Sequence, residues 1–151
     1  VAKGNPKNVN PDDLCGLNVA VETGTVEEDA INETAKQCKA DGKKDITIQS
    51  SKQQTDATTA VVTGKADVFF ADSPVVGYAI AQTEGQLEQL GKDFDSVPNA
   101  IAIKKGDSQT TDAVQKAMQK LMDDGTYGKI LQHWGVESGA LDKAEINPSV
   151  G

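Results

Sequence analysis

The sequence predicts an α/β domain: a mostly parallel, doubly wound sheet with helices on both faces in three layers, followed by a helical C-terminal stretch. Short apolar runs alternate with longer segments of helical periodicity, the pattern of consecutive strand–helix–strand units. Twice, after the first and the third run, a strand ends in a turn with polar groups that opens a helix. The apolar content is 37% with only 4% aromatic residues, so the core must be built from Ala, Val and Ile. At 151 residues the chain suits one domain of ordinary size.

Residues 1 to 13, rich in Asn, Pro and Asp, read as an N-terminal linker. The first strand spans Leu17 to Glu22. A helix follows from Val26 to Ala40, with Glu27, Glu28 and Asp29 at its positive end, lysines late and Gly42 beyond it. Ile46 to Gln49 alternates as a second strand, and Gln53 to Thr63 as a second helix that stops at Gly64. Ala66 to Ala71 is apolar enough for a buried central strand. Asp72-Ser-Pro74 then places a capping residue and a proline at the start of a third helix reaching Gln82. Leu87 to Leu90 and Ala100 to Lys104 read as strands. Val114, Ala117, Met118, Leu121 and Met122 share one face of a helix over 110–124, a shorter helix carries Tyr127, Ile130, Leu131 and Trp134, and from Gly135 on the chain reads as a wrapping tail.

All 15 basic side chains are lysines, scattered among 23 acidic ones for a net charge of -8, so no basic stripe exists for a nucleic-acid partner. No window has 18 consecutive apolar residues, and the start at Val1 has no basic-then-apolar leader pattern. With one histidine and no C-x-x-C, a metal site is not expected, nor is any cofactor. Cys15 and Cys38 can be bridged or be two buried thiols. The bridge is the favoured reading because a βα unit folds back on itself, and it implies an oxidising compartment and roughly 3 to 4 kcal/mol of stabilisation.

Two segments carry candidate chemistry. In Glu22-Thr23-Gly24-Thr25-Val26 a strand ends in a turn that opens a helix, where unpaired N–H groups and the helix dipole welcome an anion. Thr25 and Glu28 also fit a capping box, which needs no ligand. Ala71 and Asp72 lie at the end of a strand that can neighbour the first. In such sheets ligands bind beyond the carboxyl ends of the strands. One segment offers donors, the other a carboxylate, and a zwitterion needs both. Asp72 has the competing reading of a plain helix cap, Glu22 that of a solvated strand-end carboxylate. Asp67, ahead of the third strand, reads as a structural cap or turn residue.

The stretches LCGLNVAVETGT at 14–25, TGKADVFFADSPVVGYAI at 63–80, NAIAIKKGD at 99–107 and DDGTYGKILQHWGV at 123–136 resemble the extracytoplasmic solute-binding proteins of ABC importers, specifically the family for polar amino acids. The cysteine context is similar to members from Gram-positive actinobacteria. The resemblance implies a periplasmic-binding-protein-like clamshell of two lobes, joined by two crossover strands, with an amino acid trapped between them and passed to permease subunits. Thr25 and the N–H of Val26 would hold the ligand's α-carboxylate, Asp72 its α-ammonium, and Glu22 would face its side chain. A carboxylate at Glu22 suggests a cationic or donor-bearing side chain, and Ala71 a roomier pocket.

The same resemblance implies that the chain corresponds to the second half of a longer protein. Residues 1–11 would be linker or first crossover, 12–97 the second lobe, 98–104 the returning crossover strand, and 105–151 helices and tail that pack on the first lobe. That lobe would supply an arginine clamp and aromatic residues, and this chain has no arginine. Weak binding by the chain alone is expected, as is association through the apolar face of the late helices, including a segment-exchanged homo-oligomer. The setting implied is extracytoplasmic, lipid-anchored on a Gram-positive cell surface or periplasmic. The alternative is a dehydratase of the same fold acting on a carboxylated cyclic substrate, with Glu22 as its acid. No nucleophile–base pair accompanies Glu22, so the chain is read as a binder and not an enzyme.

Overall fold

The computed structural model describes residues 1–94 and 96–148 and divides into two compact units, Val1–Lys92 and Asp93–Gly151. The first unit contains β1 (Asn18–Glu22), α1 (Val26–Ala40), β2 (Thr47–Ser51), α2 (Gln54–Val62), β3 (Val68–Phe69) and α3 (Ser73–Gln82). Its sheet has the order β2-β1-β3, and both ladders are parallel.

Central position falls to β1, not to the run at Ala66 to Ala71. Val19, Ala20 and Val21 are all fully buried because the strand has a neighbour on each edge and helices on each face. The β3 ladder is short, Val68 and Phe69, although the bonds Asp67 N–H to Asn18 O (2.8 Å) and Phe70 N–H to Ala20 O (3.1 Å) carry the pairing one residue further at each end. Successive residues of β1 serve opposite layers. Val19 and Val21 pack with Ile31 and Cys38 of α1 and with Ile46, whereas Ala20 packs with Ala57 and Val61 of α2, Phe69, Ala79 of α3 and Leu87. Helices thus cover both faces, as the alternation of elements required.

Cys15 and Cys38 are joined in a disulfide that pins the chain before β1 to the last full turn of α1. The structural reading of Asp67 holds: its Oδ2 accepts the Asn18 N–H at 2.8 Å and the Asn18 amide at 3.3 Å. Residues 1–13 are more than a linker. Val1 and Val9 are buried, and the N-terminal residues clasp the segment after α3 through Lys3 N–H to Gln86 O (2.8 Å) and Glu88 N–H to Val1 O (3.0 Å). Leu87 to Leu90 accordingly forms only an isolated antiparallel bridge, Ala2 to Leu87, in place of a strand. It is too brief a pairing to build a ladder.

The second unit contains α4 (Ser108–Asp123), α5 (Thr126–Trp134) and a 3-10 turn, Glu137–Gly139. The Asp107 carboxylate caps α4 by accepting the Thr110 N–H at 3.1 Å, and Gly125 stops that helix in the left-handed conformation. The tail does wrap: Gln115 Nε2 donates to Ala144 O (2.9 Å), Ala144 N–H to Gln119 Oε1 (3.0 Å) and Leu141 N–H to the Tyr127 hydroxyl (3.3 Å). Residues 149–151 of that predicted tail lie outside the described residues, as does Asp95 of the predicted second lobe. The strand predicted at Ala100 to Lys104 does not form. Ile101 is 61% exposed, and the segment has no ladder partner among the described residues, without which an extended run is not a strand.

Candidate functional site

The topology puts a switch point between β1 and β3. From β1 the chain leaves through α1 on one face to β2; from β2 it returns through α2 on the other face to β3, on the far side of β1. The carboxyl ends of β1 and β3 therefore flank a topological switch point, and open α/β sheets bind ligands in the crevice outside such a point. Glu22 to Val26 and Ala71 to Asp72 are the two segments that border it. Counting two residues on from the pair Ala20–Phe69 brings Glu22 level with Ala71, with Asp72 one residue beyond.

The turn is held by its own polar groups. Thr23 N–H donates to Ser51 O at 2.8 Å, tying the turn to the end of β2. Gly24 has φ +82°, a left-handed conformation that suits glycine, and its N–H donates to Glu28 Oε2 at 2.8 Å. The Thr25 hydroxyl accepts the Glu28 N–H at 3.2 Å and donates its proton to Glu22 O at 2.9 Å. The predicted capping box is thus present but shifted. In the usual form the third helical residue bonds the N–H of the cap itself, whereas Glu28 reaches one residue further back, because left-handed Gly24 turns its own N–H toward the first turn of α1. Hydrogen bonds from Gly24 and from the Ser50 hydroxyl hold the Glu28 carboxyl below the ordinary glutamate range.

This arrangement decides which donors remain. The Thr25 hydroxyl proton is spent on Glu22 O, so the side chain cannot donate to an anion. The backbone N–H groups of Thr25, Val26 and Glu27 have no acceptor among the described residues. They sit at the positive end of a 15-residue helix. Val26 itself is 75% exposed, an apolar side chain left in the open beside these donors.

Across the crevice Asp72 occupies the cap position of α3 but does not cap it: its side chain makes no hydrogen bond to the first turn, and it has no ion pair among the described residues. The plain-cap reading of Asp72 therefore fails on geometry. Glu22 is half-buried at the end of β1, and Ala71 is half-buried against the α2-side core. Thr23 is exposed, its backbone serving the turn.

Sequence reading missed three neighbours. Ser50 and Ser51 end β2, which runs two residues past the expected Gln49, and Gln54 opens α2. A parallel partner of β1 should end level with it, and that would have found the serines. Glu27, by sequence a helix-start acid, is buried on the sheet-facing side of α1 with Ile31 and Cys38. No group of three or more His, Cys, Asp or Glu among the described residues could hold a metal ion, and no helix among them is long and apolar enough to cross a membrane.

Residues 14–137 match the family model described as bacterial extracellular solute-binding proteins, family 3. The arginine-binding protein ArgT of Corynebacterium glutamicum is 41% identical over 140 residues, covering 92% of this chain and 46% of that protein. An ancestral cationic amino acid solute binding protein superposes with a TM-score of 0.72 at 28% identity, covering 89% of this chain and 55% of that one. A structure of an ancestral amino acid-binding protein, a precursor of cyclohexadienyl dehydratase, superposes with a TM-score of 0.65 at 30% identity over 89% of this chain and 55% of that one. The chain spans about half the length of the curated relatives it matches. The fold is periplasmic-binding-protein-like, and the chain belongs to the bacterial extracellular solute-binding proteins, family 3.

Proposed function

We propose that the chain carries half of the ligand clamp of an amino-acid-binding component of an ABC importer, which captures a polar or cationic amino acid and delivers it to membrane permease subunits. The observation that carries this reading is the pairing across one crevice of three unspent backbone donors, Thr25, Val26 and Glu27, with the uncommitted carboxylate of Asp72. The donors suit an α-carboxylate and Asp72 an α-ammonium. Glu22 faces the ligand's side chain, Ala71 leaves it room, and Thr23 and Gly24 shape the turn. Relatives whose names give arginine or cationic amino acids as their ligands support a cationic side chain here.

Residues 12–97 act as the second lobe, 98–104 as the returning crossover and 105–151 as the part that packs on a first lobe. The apolar face of α4 and α5, half-buried at Val114, Met118 and Leu121 and 49% exposed at Ile130, is where that lobe or a second copy docks. A compact monomer at high concentration, by size exclusion with light scattering, would count against association of copies. The working location is extracytoplasmic, with lipid anchoring on a Gram-positive cell surface in the parent protein, and the disulfide supports an oxidising setting.

Catalysis has no comparable support. Glu22 is a single carboxyl without a base partner among the described residues, and the dehydratase-related neighbour is itself described as amino acid-binding. Calorimetry of the two-lobe parent with a panel of amino acids should give tight binding without turnover. Consumption of an arogenate-like or prephenate-like acid would overturn the reading.

A further inference from the structure

Among the described residues one buried side-chain nitrogen lacks any hydrogen-bond partner, Nε2 of Gln54. A buried donor without an acceptor forfeits its hydrogen bonds to water and gains none in return, so such groups in native proteins call for an explanation. Its position supplies one. Gln54 is the first residue of α2, three residues after Ser51, and Ser51 is the register partner of Glu22. It precedes Ala57 and Val61 by three and seven residues, which places it on the sheet-facing side of α2, at the end nearest the crevice. Glu22 lies two residues beyond Ala20, whose side chain belongs to the α2-side core, so by strand alternation Glu22 projects to that same side. Ala71 packs there too. One small residue, one half-buried carboxylate and one orphaned amide thus share the crevice's α2 side.

We propose that Gln54 is a specificity-determining residue, forming with Glu22 a subsite for a ligand side chain that ends in a guanidinium or ammonium group. The inference rests on the amino-acid-binding reading above and names its side-chain chemistry. A carboxylate offers about four lone-pair positions, so Glu22 can accept from Gln54 Nε2 and from the ligand cation at once. Gln54 Oε1 accepts a further N–H from the cation. A cation needs only acceptors, and this pair provides them while giving the orphaned donor its partner. An apolar side chain would leave Gln54 Oε1 without a donor and the Glu22 charge without a counter-charge.

The test is Gln54→Met, which keeps the volume and removes the amide. The orphaned donor adds nothing to the unliganded fold, so the melting temperature should hold or rise. Binding of L-arginine and L-norvaline, which share a backbone but differ in the cation, is followed through the amide resonances of Thr25, Val26 and Glu27. Arginine affinity should fall about tenfold in the variant while norvaline affinity stays the same. An unchanged ratio of the two affinities overturns the role of Gln54 and leaves the amino-acid reading standing. If neither ligand moves those resonances in the wild-type chain, the amino-acid reading fails and this proposal with it. Gln54→Ala gives the same comparison should methionine not pack.

Discussion

The two units differ in where their apolar side chains go. Every buried core residue described lies between Val1 and Leu87, including the fully buried Val19, Ala20, Val21, Ile31 and Leu87. The helices of the second unit contain no buried residue at all, and Ile130 and Trp134 are 49% and 42% exposed. Yet α4 and α5 are more strongly patterned than any helix of the first unit, with their apolar residues gathered on one face. Amphipathic sequence alone does not make a core; a second surface must close over the stripe. The first unit supplies both surfaces from its own sheet and helices, and the candidate clamp is mounted on that self-sufficient part.

This contrast can be broken by mutation. Ile31→Ala should cost about 2–5 kcal/mol in denaturant unfolding, because it empties a closed layer, whereas Leu121→Ala should cost under about 1 kcal/mol. Equal losses would show that the second unit has a core of its own. Replacing Cys15 and Cys38 together with serine should cost about 3 kcal/mol for a loop with a separation of 23 residues. Such a loss confined to the first unit would sharpen the contrast.

Smaller effects probe the clamp turn. Thr25→Ala removes both the acceptor for Glu28 N–H and the donor to Glu22 O, and should cost about 1 kcal/mol in thermal unfolding. Glu28→Gln tests the lock on Gly24 through pH. The Glu28 carboxyl is held below its ordinary range in the folded protein, so its contribution is present at neutral pH and disappears as pH falls through the folded value. The gap in melting temperature between wild type and Glu28→Gln should therefore be widest near neutrality and close in acid. A gap independent of pH would remove the charge from the account.

Much of the first unit was legible because local signals agree with the fold there. Gly24, the acidic first turn of α1 and Pro74 fix where helices begin. Strand extents were less legible, since they depend on partners: Ala100 to Lys104 has the composition of a strand but no ladder, and β2 extends to Ser51 only because it lies beside Glu22. Val1 and Val9 hid inside an Asn- and Pro-rich stretch. At the site, the residue types were readable from the turn chemistry and the resemblance. That the Thr25 hydroxyl spends its proton on Glu22 O, and that Asp72 caps nothing, are matters of geometry that no spacing encodes.

The central claim is that unspent backbone donors at the start of α1 receive a carboxylate. Titrating the isotope-labelled chain with L-arginine and, separately, with agmatine, which has the same guanidinium but no carboxylate, tests it most directly. The Thr25, Val26 and Glu27 amide resonances should move with arginine and stay in place with agmatine. Resonances that ignore arginine, or that follow both ligands equally, would contradict it.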